Sequence, residues 1–182
     1  MVKRTSKDSS SSPVQKARQW IREIDIELPK VTGYLPLPNA VDELCGRIVD
    51  AYLHASDVER ASIRSAGPPE KMRIFLTYAS RMAVVAVRKQ SEALIFSALV
   101  GLCIEDCGWD ERETLLRLSL VYHSARKLGL DAAVMFDKAA QMSTPQTGKV
   151  LRRFARGPTS IAAMGYSESI GQDGFFDYDR NW

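Results

Sequence analysis

The amino-acid sequence predicts an all-α fold, a compact bundle of about six to eight helices around a central buried helix over residues 92–107. Residues 93–104 form an uncharged run of twelve residues in a chain of which 26% is charged. Because apolar side chains of this run would project from nearly every side of a helix, other helices must surround it. Elsewhere, apolar residues recur at intervals of three and four, and capping residues, glycines and prolines separate the segments.

The chain of 182 residues has the length of one ordinary domain. Residues 1–13 are polar and rich in serine, so a flexible N-terminal tail is expected. Residues 14–156 carry the helical pattern and form the helical domain. Residues 157–182 contain glycines that exclude a long helix and too many aromatic residues for a solvated tail. They are predicted to form an irregular segment that docks on the helical domain.

The first two helices are marked by an apolar seam and by a capping signal. The seam runs over residues 14–28, and the helix is expected to end at Pro29. The second helix is predicted to begin after Asn39, a suitable N-cap, with the acidic Asp42 three positions further on. An extended, proline-containing linker therefore joins the two helices.

The middle of the chain contains one short helix and a long apolar pattern that must be broken. Ser56 and Glu59 match a capping box, so a short helix is predicted over residues 57–65. From Pro69 the helical pattern continues for about 38 residues, or about 57 Å of helix. A domain of this size is only about 40 Å across. A break is therefore expected at the polar residues 88–91, just before the central helix.

A further helix pair is predicted after the central helix. Asp110 and Glu113 form a second capping box, and Gly129 suits the end of the helix that follows. The short joint after Gly129 predicts an antiparallel neighbour, with Val134 on its inner side and Pro145 at its end.

Candidate metal and catalytic residues give only weak patterns. Cys103 and Cys107 lie four positions apart, a spacing that can hold a metal, and the further candidate ligands are Cys45, His54 and His123. Free cysteines on apolar helices are usually small buried hydrophobes, so neither a metal site nor a cofactor is predicted. The acids at 105–113 lie at helix ends, where they stabilise helix dipoles. The usual phosphate-loop, nucleophile and zinc motifs are missing, which favours a protein without enzymatic activity.

Basic residues concentrate in two stretches. One is residues 71–89, and the other is residues 149–156, which are predicted to form a short helix with its cations on one face. The candidate basic residues are Arg73, Arg81, Arg88, Lys149, Arg152, Arg153 and Arg156. Such faces can contact phosphates or an acidic protein surface.

The end of the chain interleaves four aromatic residues with three acids over residues 173–182. Aromatic side chains are common interface hot spots. The residues expected to contact a partner are Phe175, Phe176, Tyr178, Trp182, Asp177 and Asp179. In the alternative interpretation, this segment covers an apolar groove of its own domain, with its acids near 149–156 or 71–89.

These features predict a non-enzymatic protein–protein interaction module, of adaptor or immunity type, that uses its helical surface and aromatic segment. One alternative is a nucleic-acid-binding protein that uses the basic faces at 71–89 and 149–156. A second is an uncharacterised enzyme or small-ligand binder with a pocket near Tyr122, His123 and the acids at 105–113. The longest uncharged run is too short to cross a membrane. A serine-rich N-terminus and three cysteines without disulfide spacing predict a cytoplasmic protein.

Overall fold

The computed structural model describes residues 11–27, 39–106 and 111–156, and these ranges form nine helices and no strand. In chain order the helices are α1 (Pro13–Glu27), α2 (Asn39–His54), α3 (Asp57–Arg64), α4 (Pro69–Met72), α5 (Ile74–Lys89), α6 (Glu92–Glu105), α7 (Glu111–Lys127), α8 (Ala132–Gln141) and α9 (Pro145–Ala155). The predicted all-α bundle is therefore confirmed. No helix in these ranges combines the length and apolar character needed to cross a bilayer.

Several predictions concern residues outside the described ranges. They are the N-terminal tail as far as residue 10, the linker with Pro29, the residue Cys107, the N-cap Asp110 of the second capping box, and the aromatic segment over 157–182.

Helix α6 is the central helix, as predicted. Residues 98–105 are all buried, and the helix packs against α5, α2, α7 and α8. Helix α7 is also buried on all sides over residues 118–125, although it carries Ser119, His123 and Ser124. Its polar residues interrupt the apolar pattern, so the sequence indicated only one buried face for α7. The core consequently contains two adjacent buried helices.

The break before the central helix lies where the sequence predicts it. Helix α5 ends at Lys89, and Gln90 adopts a left-handed conformation with φ of 52°. The N–H groups of Gln90 and Ser91 both donate to the carbonyl oxygen of Ala86. This satisfies an end carbonyl and turns the chain into α6.

The start of α2 differs from the prediction. Asn39 is the first residue of the helix, and its Oδ1 accepts a hydrogen bond from Arg81 of α5 at 3.2 Å. Asp42 also pairs with Arg81. The side chains of Asn39 and Asp42 were both predicted to stabilise the N-terminus of α2. In the structure they instead connect α2 to Arg81 of α5.

The prediction that Pro145 closes a helix pair is wrong, because Pro145 is the first residue of α9. Thr144 is the N-cap and accepts a hydrogen bond from the N–H of Thr147. Proline is favoured at this position, where its missing N–H has no helical acceptor. Helix α9 packs mainly on α8, and α8 contacts α9 and α6 more than α7. The short α7–α8 joint therefore does not produce the extensive pairing that its length predicted.

Asp106 joins the end of α6 to the start of α9. It has a left-handed conformation with φ of 58°. Its Oδ1 accepts hydrogen bonds from the hydroxyl groups of Thr144, at 2.7 Å, and Thr147, at 2.9 Å. A carboxylate at a helix N-terminus also favours the helix dipole. This contact fixes α9 against the central helix.

Candidate functional site

Helix α8 has a buried side and an outward stripe. Asp131 caps the helix by accepting from the N–H of Val134 at 3.2 Å, after Gly129 has turned the chain with φ of 70°. The buried side consists of Ala132, Met135, Phe136, Ala139 and Ala140. The outward stripe consists of Val134, Asp137, Lys138 and Gln141, which are all exposed. Val134 was predicted to point inward, but it is 63% exposed because it lies opposite Phe136 on the helix.

Helix α9 repeats this arrangement with basic residues outside. Phe154 is buried and stacks on Phe136 of α8, with 6.4 Å between ring centroids. Gly148 allows close approach, since a Cβ there would lie 3.1 Å from the carbonyl oxygen of Ala140. The exposed residues of the outer side are Lys149, Arg152, Arg153 and Arg156. The four cations predicted to share one face therefore do so.

The two outward stripes are joined by an ion pair. Arg152 Nε lies 3.1 Å from Asp137 Oδ1, and each side chain is about half exposed. Asp137 Oδ2 accepts from Gln141 Nε2 at 3.0 Å. Lys138 lies over the ring of Phe96 in α6, with its Nζ 4.7 Å from the centroid. We call the surface formed by residues 134, 137, 138, 141, 149, 152, 153 and 156 the α8–α9 face.

The other predicted basic stretch, residues 71–89, is divided by a structural contact. Arg81 Nε lies 2.8 Å from Asp42 Oδ2, and the Arg81 side chain is only 22% exposed. Arg88 is exposed and Arg73 is partly buried. Arg81 therefore connects α5 to α2 instead of extending an outward basic face.

The candidate metal ligands lie in unlike environments. Cys45 and Cys103 are buried free thiols, and burial raises the pKa of both. Such thiols are poor nucleophiles because little thiolate forms at neutral pH. His54 is on the surface beside Asp50, and His123 is buried with its ring edge-on to Tyr122. Among the residues that the structure describes, no three His, Cys, Asp or Glu side chains are placed to hold a metal ion.

The buried hydroxyl group of Tyr52 in α2 has a structural role. The Tyr52 hydroxyl donates to the carbonyl oxygen of Met142 at 2.5 Å and accepts from Arg64 at 2.6 Å. Arg60 donates to the carbonyl oxygens of Tyr52 and Leu53 at the end of α2. Burial raises the pKa of Tyr52 to about 12, so the phenol stays protonated at neutral pH. This group holds α2, α3 and the end of α8 together.

The structure also contains a groove that the sequence did not indicate. Its volume is about 330 Å³, and it lies between α1 and α2. The lining residues are Glu23, Ile26, Glu27, Ala40, Glu43, Leu44 and Arg47. The strongest sequence signal for it is Ile26, an apolar residue outside the seam of α1 that is 80% exposed. This groove is separate from Tyr122 and His123, where the sequence suggested a pocket.

The α8–α9 face thus combines an exposed apolar residue with exposed charges on two helices that pack against each other. No family model matches the chain, and no curated protein or solved structure is significantly similar to it.

Proposed function

We propose that this protein is a non-enzymatic interaction module that binds an acidic segment of another protein on the α8–α9 face. The observation that carries the proposal is that exposed Val134 shares the outward stripe of α8 with Lys138 and Asp137, and that Asp137 pairs with Arg152 in the row of exposed cations on α9. An apolar residue surrounded by charges offers a partner both apolar contact and electrostatic selection. The aromatic segment over 173–182, predicted from the sequence to contact a partner, follows α9 in the chain.

The distribution of charge favours a protein partner. Asp137 lies inside the α8–α9 face, where it pairs with Arg152 and accepts from Gln141. A phosphate backbone would meet this carboxylate, whereas an acidic peptide can avoid it and place an apolar side chain against Val134. Protein interfaces typically combine an apolar centre with a polar rim.

Nucleic acid binding is the second candidate function. The observation that favours it is the row of four exposed cations on the outer side of α9. Binding to phosphates would weaken steeply with salt, by a slope that rises with the number of phosphates contacted. Retention on single- or double-stranded nucleic acid at low salt, lost in Lys149→Glu/Arg156→Glu, would support this candidate over a protein partner.

A photo-cross-linking experiment tests the protein-binding proposal. The amino acid p-benzoylphenylalanine replaces Val134 in the full chain, which is then irradiated in its native cells. A matched control places the same group at Val58, an exposed valine of α3 that is 78% exposed. We expect a nuclease-resistant adduct with one protein from position 134 and none from position 58.

The captured protein is then purified and titrated against the full chain. We expect Lys149→Glu/Arg156→Glu to weaken its binding by about tenfold, since each exposed ion pair contributes up to about 1 kcal/mol. Equal adducts from both positions, no adduct from position 134, or unchanged binding by the double variant would overturn the proposal.

A further inference from the structure

We propose that residues 173–182 bind the α8–α9 face of their own molecule and compete there with the partner. Competition with the partner rests on the proposed function, but the docking itself can be tested without any partner. It concerns regulation of the same surface by a segment of the same chain.

Charge and apolar character match between the segment and the face. The segment carries Asp173, Asp177 and Asp179 against a single base, Arg180. The α8–α9 face presents exposed cations on α9 and exposed Val134 on α8. The aromatic residues of the segment 173–182 offer apolar area at little cost in side-chain entropy. The segment therefore has the chemistry proposed above for the partner, an acidic stretch with apolar side chains.

The position of the segment in the chain permits this contact. Sixteen residues, 157–172, separate it from Arg156 at the end of α9. Fully extended, they would span up to about 50 Å, which exceeds the diameter of the domain. A segment tethered by a short linker has an effective concentration in the millimolar range. Even modest complementarity is then sufficient for occupancy.

The structure favours the α8–α9 face over the other basic stretch at 71–89. Arg81, in the middle of that stretch, pairs with Asp42 and donates to Asn39. The stretch therefore offers no continuous outward row of cations. On α9, Lys149 and Arg156 are exposed on the same stripe as Arg152, one turn before it and one turn after it.

The test uses the purified full chain with p-benzoylphenylalanine in place of Phe176. Irradiation followed by peptide mapping identifies the helix to which residue 176 cross-links. We expect intramolecular cross-links to residues 132–156, with a yield that does not change on dilution. The variant Lys149→Glu/Arg153→Glu/Arg156→Glu should lower that yield by about tenfold, and Lys16→Glu/Arg18→Glu/Arg22→Glu on α1 is the matched control, which should leave it unchanged.

Cross-links to other helices, a yield that falls on dilution, or equal effects of the two triple variants would overturn the inference. Those results would leave the proposed function standing if position 134 still captured a partner. Conversely, intramolecular cross-links to α8 and α9 without any partner adduct would support the docking and contradict the proposed function.

Discussion

Asp42 Oδ2 lies 2.8 Å from Arg81 Nε, and this ion pair joins α2 to α5 with the Asp42 side chain only 13% exposed. The second carboxylate oxygen, Oδ1, is buried and has no hydrogen-bond partner among the residues that the structure describes. Desolvation raises the pKa of Asp42 to about 6, although Arg81 acts in the opposite direction. The pair therefore connects two helices while the carboxylate is poorly solvated, which makes its contribution to stability sensitive to pH.

We expect Asp42 to make the folded protein less stable as the pH rises from about 4 to about 7. The folded pKa is above the unfolded value of 3.8, so the stabilisation is complete below about 3.8 and is lost as the pH rises through about 6. The effect is at most about 3 kcal/mol. Urea unfolding at several pH values measures it.

The control for this prediction is Asp42→Asn, which cannot titrate. The free energy of unfolding of Asp42→Asn relative to the native chain should increase with pH over this interval. A difference that stays constant from pH 4 to pH 7 would show that the pKa of Asp42 is not raised.

Replacing Leu99 by Asp should unfold the domain. Leu99 is fully buried in α6, and an unpaired buried charge costs several kcal/mol out of a total stability of about 5–15 kcal/mol. Ala93→Asp is the matched control, because residue 93 is exposed in the first turn of the same helix, where an acid is favourable. Circular dichroism at 222 nm should show loss of helix for Leu99→Asp alone, and a helical Leu99→Asp would contradict the central position of α6.

Two glycines inside helices should respond in opposite ways to replacement by alanine. A Cβ at Gly101 would lie 3.1 Å from the ring of Tyr78, which is buried, so Gly101→Ala should destabilise the fold by about 1–2 kcal/mol. At Gly46 the nearest contact is an ordinary 3.7 Å, so Gly46→Ala should stabilise it by about 0.5–1 kcal/mol. Thermal unfolding of both variants checks the signs, and equal shifts would mean that α5 and α6 are not packed this closely.

The capping box of α3 should be measurable as a loss of stability. Ser56 Oγ accepts from the N–H of Glu59, and Glu59 Oε2 accepts from the N–H of Ser56 at 2.9 Å. Ser56→Ala should therefore cost about 1 kcal/mol in chemical unfolding. Ser62→Ala in the middle of the same helix removes only a bond to the carbonyl oxygen of Val58, and it should change stability by at most a few tenths of a kcal/mol.

The parts of the fold that follow from local chemistry could be predicted from the sequence. The capping box at Ser56 and the turn at Gly129 depend on neighbouring residues only, and the structure confirms both. The break near Gln90, also confirmed, was expected because one continuous helix would be longer than the domain. Pro145 was misassigned because a proline can end one helix or begin another, and Thr144 decides which. The start of α2 was misjudged because Arg81, forty-two positions away, accounts for the contact of Asn39.

The candidate surface was predictable only in part. The cations of α9 share a face by helical periodicity alone. Val134 could not be placed from its own sequence context, because the packing of Phe136 against Phe154 decides which side of α8 is buried. The ion pair between Arg152 and Asp137 likewise depends on how α8 and α9 cross, which no local pattern encodes.

The hydrogen bond from Tyr52 to Met142 spans 90 positions of the chain. During synthesis at about 5–20 residues per second, roughly 5–18 s separate the appearance of these two residues. Until α8 has been made, the hydroxyl of Tyr52 and the guanidinium of Arg64 lack the carbonyl that completes their final arrangement. The contact between Tyr52 and Met142 can therefore form only after the second half of the chain has been made, and long-range contacts of this kind slow folding relative to local helix formation.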